Sequence, residues 1–97
     1  MGSQHTQTSV RGKRFIERWQ SDLFSKLAFE FRDRWATPEG GLVVIFDNVP
    51  TGWTCDFSRI NSFRPGCFGV TQDGRVFETV GGNYWEGAKQ WAGLTVR

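Results

Sequence analysis

Histidine is all but missing: the 97-residue chain holds one, His5, near its start. Ser-His-Asp and Cys-His catalysis and His-rich metal sites need more than that. Cysteine is scarce too. Cys55 and Cys67 alone give no disulfide framework. They are expected to be free, buried thiols; the other reading lets them face each other from neighbouring strands. Two cysteines without a nearby histidine do not make a zinc site. No run of 18 or more apolar residues occurs, so no membrane-spanning helix is expected. The N-terminus lacks the apolar core of a signal peptide. The expectation is a soluble, cytoplasmic protein with no membrane partner. Internal repeats and low-complexity tracts are absent. A formal net charge of +2 is too small to imply a polyanion partner by itself.

Acids such as Asp47, Asp56, Asp73 and Glu78 fall in turns or on strand faces, and nothing in their spacing asks for an acid–base pair. No set of nucleophile, base and orienting group can be assembled. The chain therefore reads as a non-enzyme, with no cofactor, no metal and no small-molecule substrate.

Aromatic residues are what the chain has in surplus: nine Phe, five Trp and one Tyr. Each ring can bury about 150–250 Å². A domain of this size buries only about 65% of its unfolded surface. Some rings are expected at the surface, where Trp, Tyr and Arg anchor protein interfaces. The competing reading is a Phe-rich core with Trp at its edges. Nine of the twelve basic residues are Arg, the type suited to planar, bidentate contacts. Residues 1–37 hold seven Arg/Lys and four Asp/Glu, a net of +3, and residues 38–97 hold five and six, a net of −1.

Along the chain, residues 1–9 are polar and unpatterned and read as a flexible tail, with Thr8 or Ser9 available to cap the helix beyond it. Residues 10–97 read as a single α+β domain. Phe15, Trp19, Leu23, Leu27, Phe31 and Trp35 recur every four residues, which predicts a helix to about Ala36. A period of four drifts about 40° per step around a 3.6-residue helix, so the stripe wraps and its ends meet different surroundings. Leu27, Phe29 and Phe31 also alternate with Ala28, Glu30 and Arg32, so a helix to about Phe24 and an edge strand from Lys26 to Arg34 is the alternative.

Thr37 to Gly41 is a loop, and Leu42 to Phe46 is an apolar run that predicts a central strand. Asp47 to Gly52 is expected to turn, because it holds Pro50 and Gly52. Trp53, Cys55 and Phe57 then alternate as a second strand. Ser58 to Gly66 reads as the longest internal loop. Phe68 and Val70, then Val76, Phe77 and Val80, predict a hairpin about Asp73-Gly74. A two-residue turn would set Val70 opposite Phe77 and Phe68 opposite Thr79. Asn83 with Glu86 three residues on is a variant capping box, so a short C-terminal helix is expected from Tyr84. Tyr84, Trp85, Ala88, Trp91 and Ala92 fall on one stripe of it, and Gly93 suits its stop. Gly87 inside that helix suggests close approach to another backbone. The predicted order is α-β-β-β-β-α: a long N-terminal helix, a four-stranded antiparallel meander and a short C-terminal helix.

Two candidate surfaces emerge. Phe63, Arg64 and Arg59 in the long loop, with Tyr84 and Trp85, make a protein-binding set, or else simply close the core. Arg11, Lys13, Arg14 and Arg18 form the one basic cluster. On a helix Arg11, Arg14 and Arg18 share a face that could touch phosphates, or stand as a solvated face. Gly81-Gly82-Asn83, between strand and helix, reads as an anion-holding amide nest or as a plain turn.

The element order, with Gly81-Gly82 before the last helix, resembles the double-stranded RNA-binding domain. That likeness implies a lysine cluster at the start of the last helix. Tyr84, Trp85, Glu86 and Gly87 stand there instead, with the single Lys89, and the phosphate clamp is gone. In size, aromatic content and lack of catalytic residues, the chain is similar to the small proteins that phages and mobile elements encode to block host machinery. Anti-CRISPR proteins are among them. That likeness implies a partner that is a protein or a protein–nucleic acid complex, in the host cytoplasm. A homodimer through Trp85 or Phe29 is a further partner reading.

Overall fold

The computed structural model describes residues 14–97. The N-terminal tail, His5, Arg11 and Lys13 lie outside the described residues, as do the candidate caps Thr8 and Ser9. One helix, α1 (Arg18–Trp35), packs on one face of a five-stranded antiparallel sheet. The strands are β2 (Leu42–Phe46), β3 (Val49–Thr54), β4 (Phe68–Thr71), β5 (Val76–Val80) and β6 (Gln90–Gly93), in the order β3-β2-β4-β5-β6. A small parallel pair, β1 (Phe15–Ile16) with β7 (Thr95–Val96), ties the two ends of the described chain together.

The α+β class and the long helix stand. The edge-strand alternative for Lys26 to Arg34 does not, because the helix runs through it. Burial explains why. A helix turns Phe24 and Ala28 onto the sheet, where both are buried, and leaves Phe29 in solvent. Phe24 sets its ring 4.8 Å from that of Phe68. Val43, Ile45, Val70, Val76 and Ile16 complete this core. Burying each such aliphatic side chain contributes about 1.5–3 kcal/mol. The four-residue stripe wraps as its period requires. Its middle, Leu27 and Phe31, packs against the core, while Trp19 and Trp35 at its ends are 67% and 62% exposed. At the C-terminus Ala36 adopts φ +49°, and Arg32 donates to the carbonyls of Gly40 (2.7 Å) and Gly41 (3.1 Å).

Leu42–Phe46 is an interior strand as its apolar run predicts. Its turn is tighter than expected. Asp47 and Asn48 both take positive φ, so the chain reverses in two residues and Pro50 and Gly52 sit within β3. That is permitted because β3 is an edge strand, with Thr51 bulged between the Val44 and Ile45 pairings. The second strand therefore starts and ends earlier than expected: it takes in Trp53 and Thr54, and Cys55 and Phe57 lie beyond it. Phe57–Ser62 forms a 3-10 turn, opened by the Asp56 side chain accepting from Ser58 N.

The β4–β5 hairpin exists, one residue out of the predicted register. Val70 faces Val76, and Phe68 faces Glu78. Thr71 N bonds to the Arg75 carbonyl and Gly74 takes φ +89°, so the loop has three residues and not two.

The C-terminal helix is absent. Asn83 caps as predicted, its Oδ1 accepting from Trp85 N (2.9 Å) and Glu86 N (2.8 Å). One turn forms and closes with Gly87 N on the Asn83 carbonyl. Gly87 then takes φ +87° and the chain leaves as β6, pairing with β5. A strand there completes the ladder of β5, which a helix would leave as an open edge. With that helix goes the element order shared with the double-stranded RNA-binding domain.

Candidate functional site

The face of the sheet away from α1 carries Leu42, Val44 and Phe46 by strand alternation, since Val43 and Ile45 point into the helix core. Gly69 leaves a hollow on that face. A Cβ there would lie 2.7 Å from the Trp91 ring and 2.8 Å from Leu42. Trp91 fills the hollow and donates Nε1–H to the Phe57 carbonyl (3.2 Å). Phe57 meets Phe77 at 4.9 Å and Trp91 at 5.9 Å, and Phe63 meets Trp91 at 5.6 Å, all edge to face. This second aromatic core is what the 3-10 turn covers.

Next to it stands a more exposed group. Thr79 is buried and ties the 63–67 loop to β5. Its hydroxyl donates to the Arg64 carbonyl (2.7 Å) and accepts from Cys67 N (2.8 Å). Ala88 N donates to the Phe63 carbonyl (2.8 Å), and Gly87 abuts the Asn61 carbonyl so closely that no Cβ fits. The close approach suggested by Gly87 is real, in a turn and not in a helix. Between these anchored loops the Arg64 guanidinium lies over the rings of Phe46 (4.6 Å) and Tyr84 (4.4 Å). Tyr84 meets Trp85 edge to face at 5.5 Å. Tyr84 is 59% exposed and Trp85 is 87% exposed.

The protein-binding set thus divides. Arg64, Tyr84 and Trp85 adjoin one another at the surface. Phe63 turns inward to Trp91. Arg59 is exposed within the 3-10 turn. Phe46 belongs with the group and is not among the predicted site residues; an aromatic closing an apolar run just before an Asp-Asn turn is the signal for it. Thr79 carries no signal in the sequence, because its role depends on the loop that returns over it.

Of the basic cluster, Arg11 and Lys13 lie outside the described residues; the helix begins at Arg18, and Arg14 precedes it, paired with Glu78 at 2.7 Å. Gly81-Gly82-Asn83 is a turn leading to no helix, so it offers no helical amides. Cys55 and Cys67 are both free; Cys67 is buried, but Cys55 is exposed, and neither lies in a strand. Burial pushes the Cys67 thiol up. The Ser58 hydroxyl and amide hold the Asp56 carboxyl below its usual range, and the Thr71 hydroxyl does the same for Asp73. An open groove of about 690 Å³ runs between α1 and the β4–β5 loop, past Phe29, Arg32 and Asp73.

Among the described residues, no group of three His, Cys, Asp or Glu is close enough to hold a metal. No described helix is long and apolar enough to cross a membrane. Comparison with protein-family models, with curated proteins and with solved structures finds no match.

Proposed function

We propose that this chain is a non-enzymatic binding protein that occludes or modulates a larger protein or protein–nucleic acid assembly. It docks through Arg64, Tyr84 and Trp85, with Phe46 beneath them and Phe63 and Arg59 at the border. One observation carries the reading. Tyr84 and Trp85 hold their rings in solvent on a turn whose backbone is fixed by Asn83 and by the Phe63 carbonyl. Rings presented on an anchored backbone lose little conformational entropy on contact, which is what a docking surface requires. Occlusion is the mode of action of the small phage-encoded inhibitors to which the chain is similar in size and composition.

Affinity capture from extracts of the source cell tests this, with wild type and Trp85→Ala in parallel. A partner held in stoichiometric amount by wild type and lost by the variant is expected, and the purified partner should lose activity on titration with the chain. Equal capture by both proteins rules out this surface as the docking site. The alternative is nucleic-acid binding through Arg11, Lys13, Arg14 and Arg18. A mobility shift that weakens steeply with salt would transfer the function to that cluster.

A further inference from the structure

The Arg64 guanidinium is flanked by two rings and has no acceptor among the described residues. We infer that the docking surface recognises a carboxylate, an Asp or Glu side chain of a partner protein, through the outward edge of Arg64. This rests on the docking reading above and names the chemistry of the partner.

Cation–π contact with Phe46 and Tyr84 holds the guanidinium, and the Thr79 bond to the Arg64 carbonyl fixes its backbone. A guanidinium carries five N–H donors and no acceptor. Among the described residues the ion pairs are Arg14–Glu78 and Arg75–Asp73, and Arg64 has neither a carboxylate nor a carbonyl on its guanidinium. The guanidinium lies against two rings on a residue that is exposed, so its donors are within reach of a partner. That is the arrangement a carboxylate meets with two parallel hydrogen bonds. Tyr84 and Trp85 alongside supply apolar contact for the residue next to the acid.

A phosphate backbone needs a track of cations, whereas the one cation between Phe46 and Tyr84 is Arg64, which suits a single carboxylate.

The test selects binders from a random displayed peptide library on the immobilised full chain, then titrates the selected synthetic peptides by fluorescence anisotropy. Wild type, Arg64→Lys, Arg64→Gln and Trp85→Ala are compared, with circular dichroism confirming each fold. The selected peptides should share an Asp or Glu beside an apolar residue. Both Arg64 variants should bind about 10- to 100-fold more weakly, the lysine included because it lacks the fork. Peptides that require Trp85 but contain no shared acid, or that Arg64→Lys binds as wild type does, overturn the carboxylate and leave the docking reading intact. Tenfold tighter binding when the acid is replaced by phosphoserine overturns it in favour of a phosphopeptide. Trp85-dependent binding of an oligo-dT probe overturns it in favour of nucleic acid. If no selected peptide depends on Trp85, the inference and the docking reading fall together.

Discussion

Two groups of rings lie side by side on the same face of the sheet, and they serve opposite ends. In the first, Trp91 sits in the hollow over Gly69, locked by Phe57, Phe63 and Phe77. In the second, Tyr84 and Trp85 stand in solvent beside Arg64. The residue types are alike, and only six positions separate Trp85 from Trp91. What divides them is the backbone between. Gly87 at positive φ lets the chain turn against Asn61 and then join β5 as a strand. One tryptophan is thereby carried over the sheet and the other left outside it. Ring count says that some aromatics must be exposed, but not which; the glycine and the sheet edge decide that.

Trp91→Ala should give the largest change. It removes the ring over Gly69 and should cost about 3 kcal/mol, at the low end for a tryptophan truncation because the ring is half-buried. Urea denaturation reads it directly, and a cost below about 0.5 kcal/mol would erase the distinction between the two groups. Gly87→Ala attacks the divide itself. The left-handed conformation alone costs about 1–2 kcal/mol for a residue with a Cβ, and the Asn61 carbonyl adds to it. Gly40→Ala is the control, since Gly40 has a similar φ of +79° but open space around it. Gly87→Ala should therefore lower the urea midpoint further than Gly40→Ala, and equal losses would mean that the contact with Asn61 is immaterial.

A smaller effect should appear with acid. The Asp56 and Asp73 carboxyls are held below their ordinary range by Ser58 and Thr71. A depressed carboxyl stabilises the fold above its unfolded pKa, and the contribution fades as pH falls through the folded value. Stability should thus be level at neutral pH and decline below about pH 4. Asp56→Asn with Asp73→Asn should flatten the decline, and an unchanged acid limb would show that other carboxyls govern it.

Much of the frame is legible from residues. The four-residue stripe marks α1, but its drift, expected to set the two ends in different surroundings, leaves both Trp19 and Trp35 in solvent. The run Leu42–Phe46 marks an interior strand, and Asn83 marks a cap. The failures share a cause: each local signal is right, but a longer-range contact decides its extent. The capping turn at Asn83 reads as a helix because the pairing of Gln90–Gly93 with β5 is non-local. Pro50 and Gly52 read as turn residues because nothing local marks β3 as an edge. The hairpin register moves by one residue because Asp-Gly suits a two-residue or a three-residue loop. Phe15 and Ile16 leave the helical stripe to pair with β7, at the far end of the chain. Of the site, the Arg and aromatic types are legible from composition. Their assembly with Phe46 is not, since it joins residues 46, 64 and 84 through two loops.

The smallest expected effect is the most telling. If the exposed group is kept for contact, it contributes nothing to the fold. Urea denaturation of the triple variant Arg64→Gln, Tyr84→Ala, Trp85→Ala measures that claim without reference to any partner. The expected stability lies within about 1 kcal/mol of wild type, as for surface substitutions, with an unchanged dependence on urea. A loss of about 3 kcal/mol or more, comparable to that of Trp91→Ala, would contradict it and return these rings to the core.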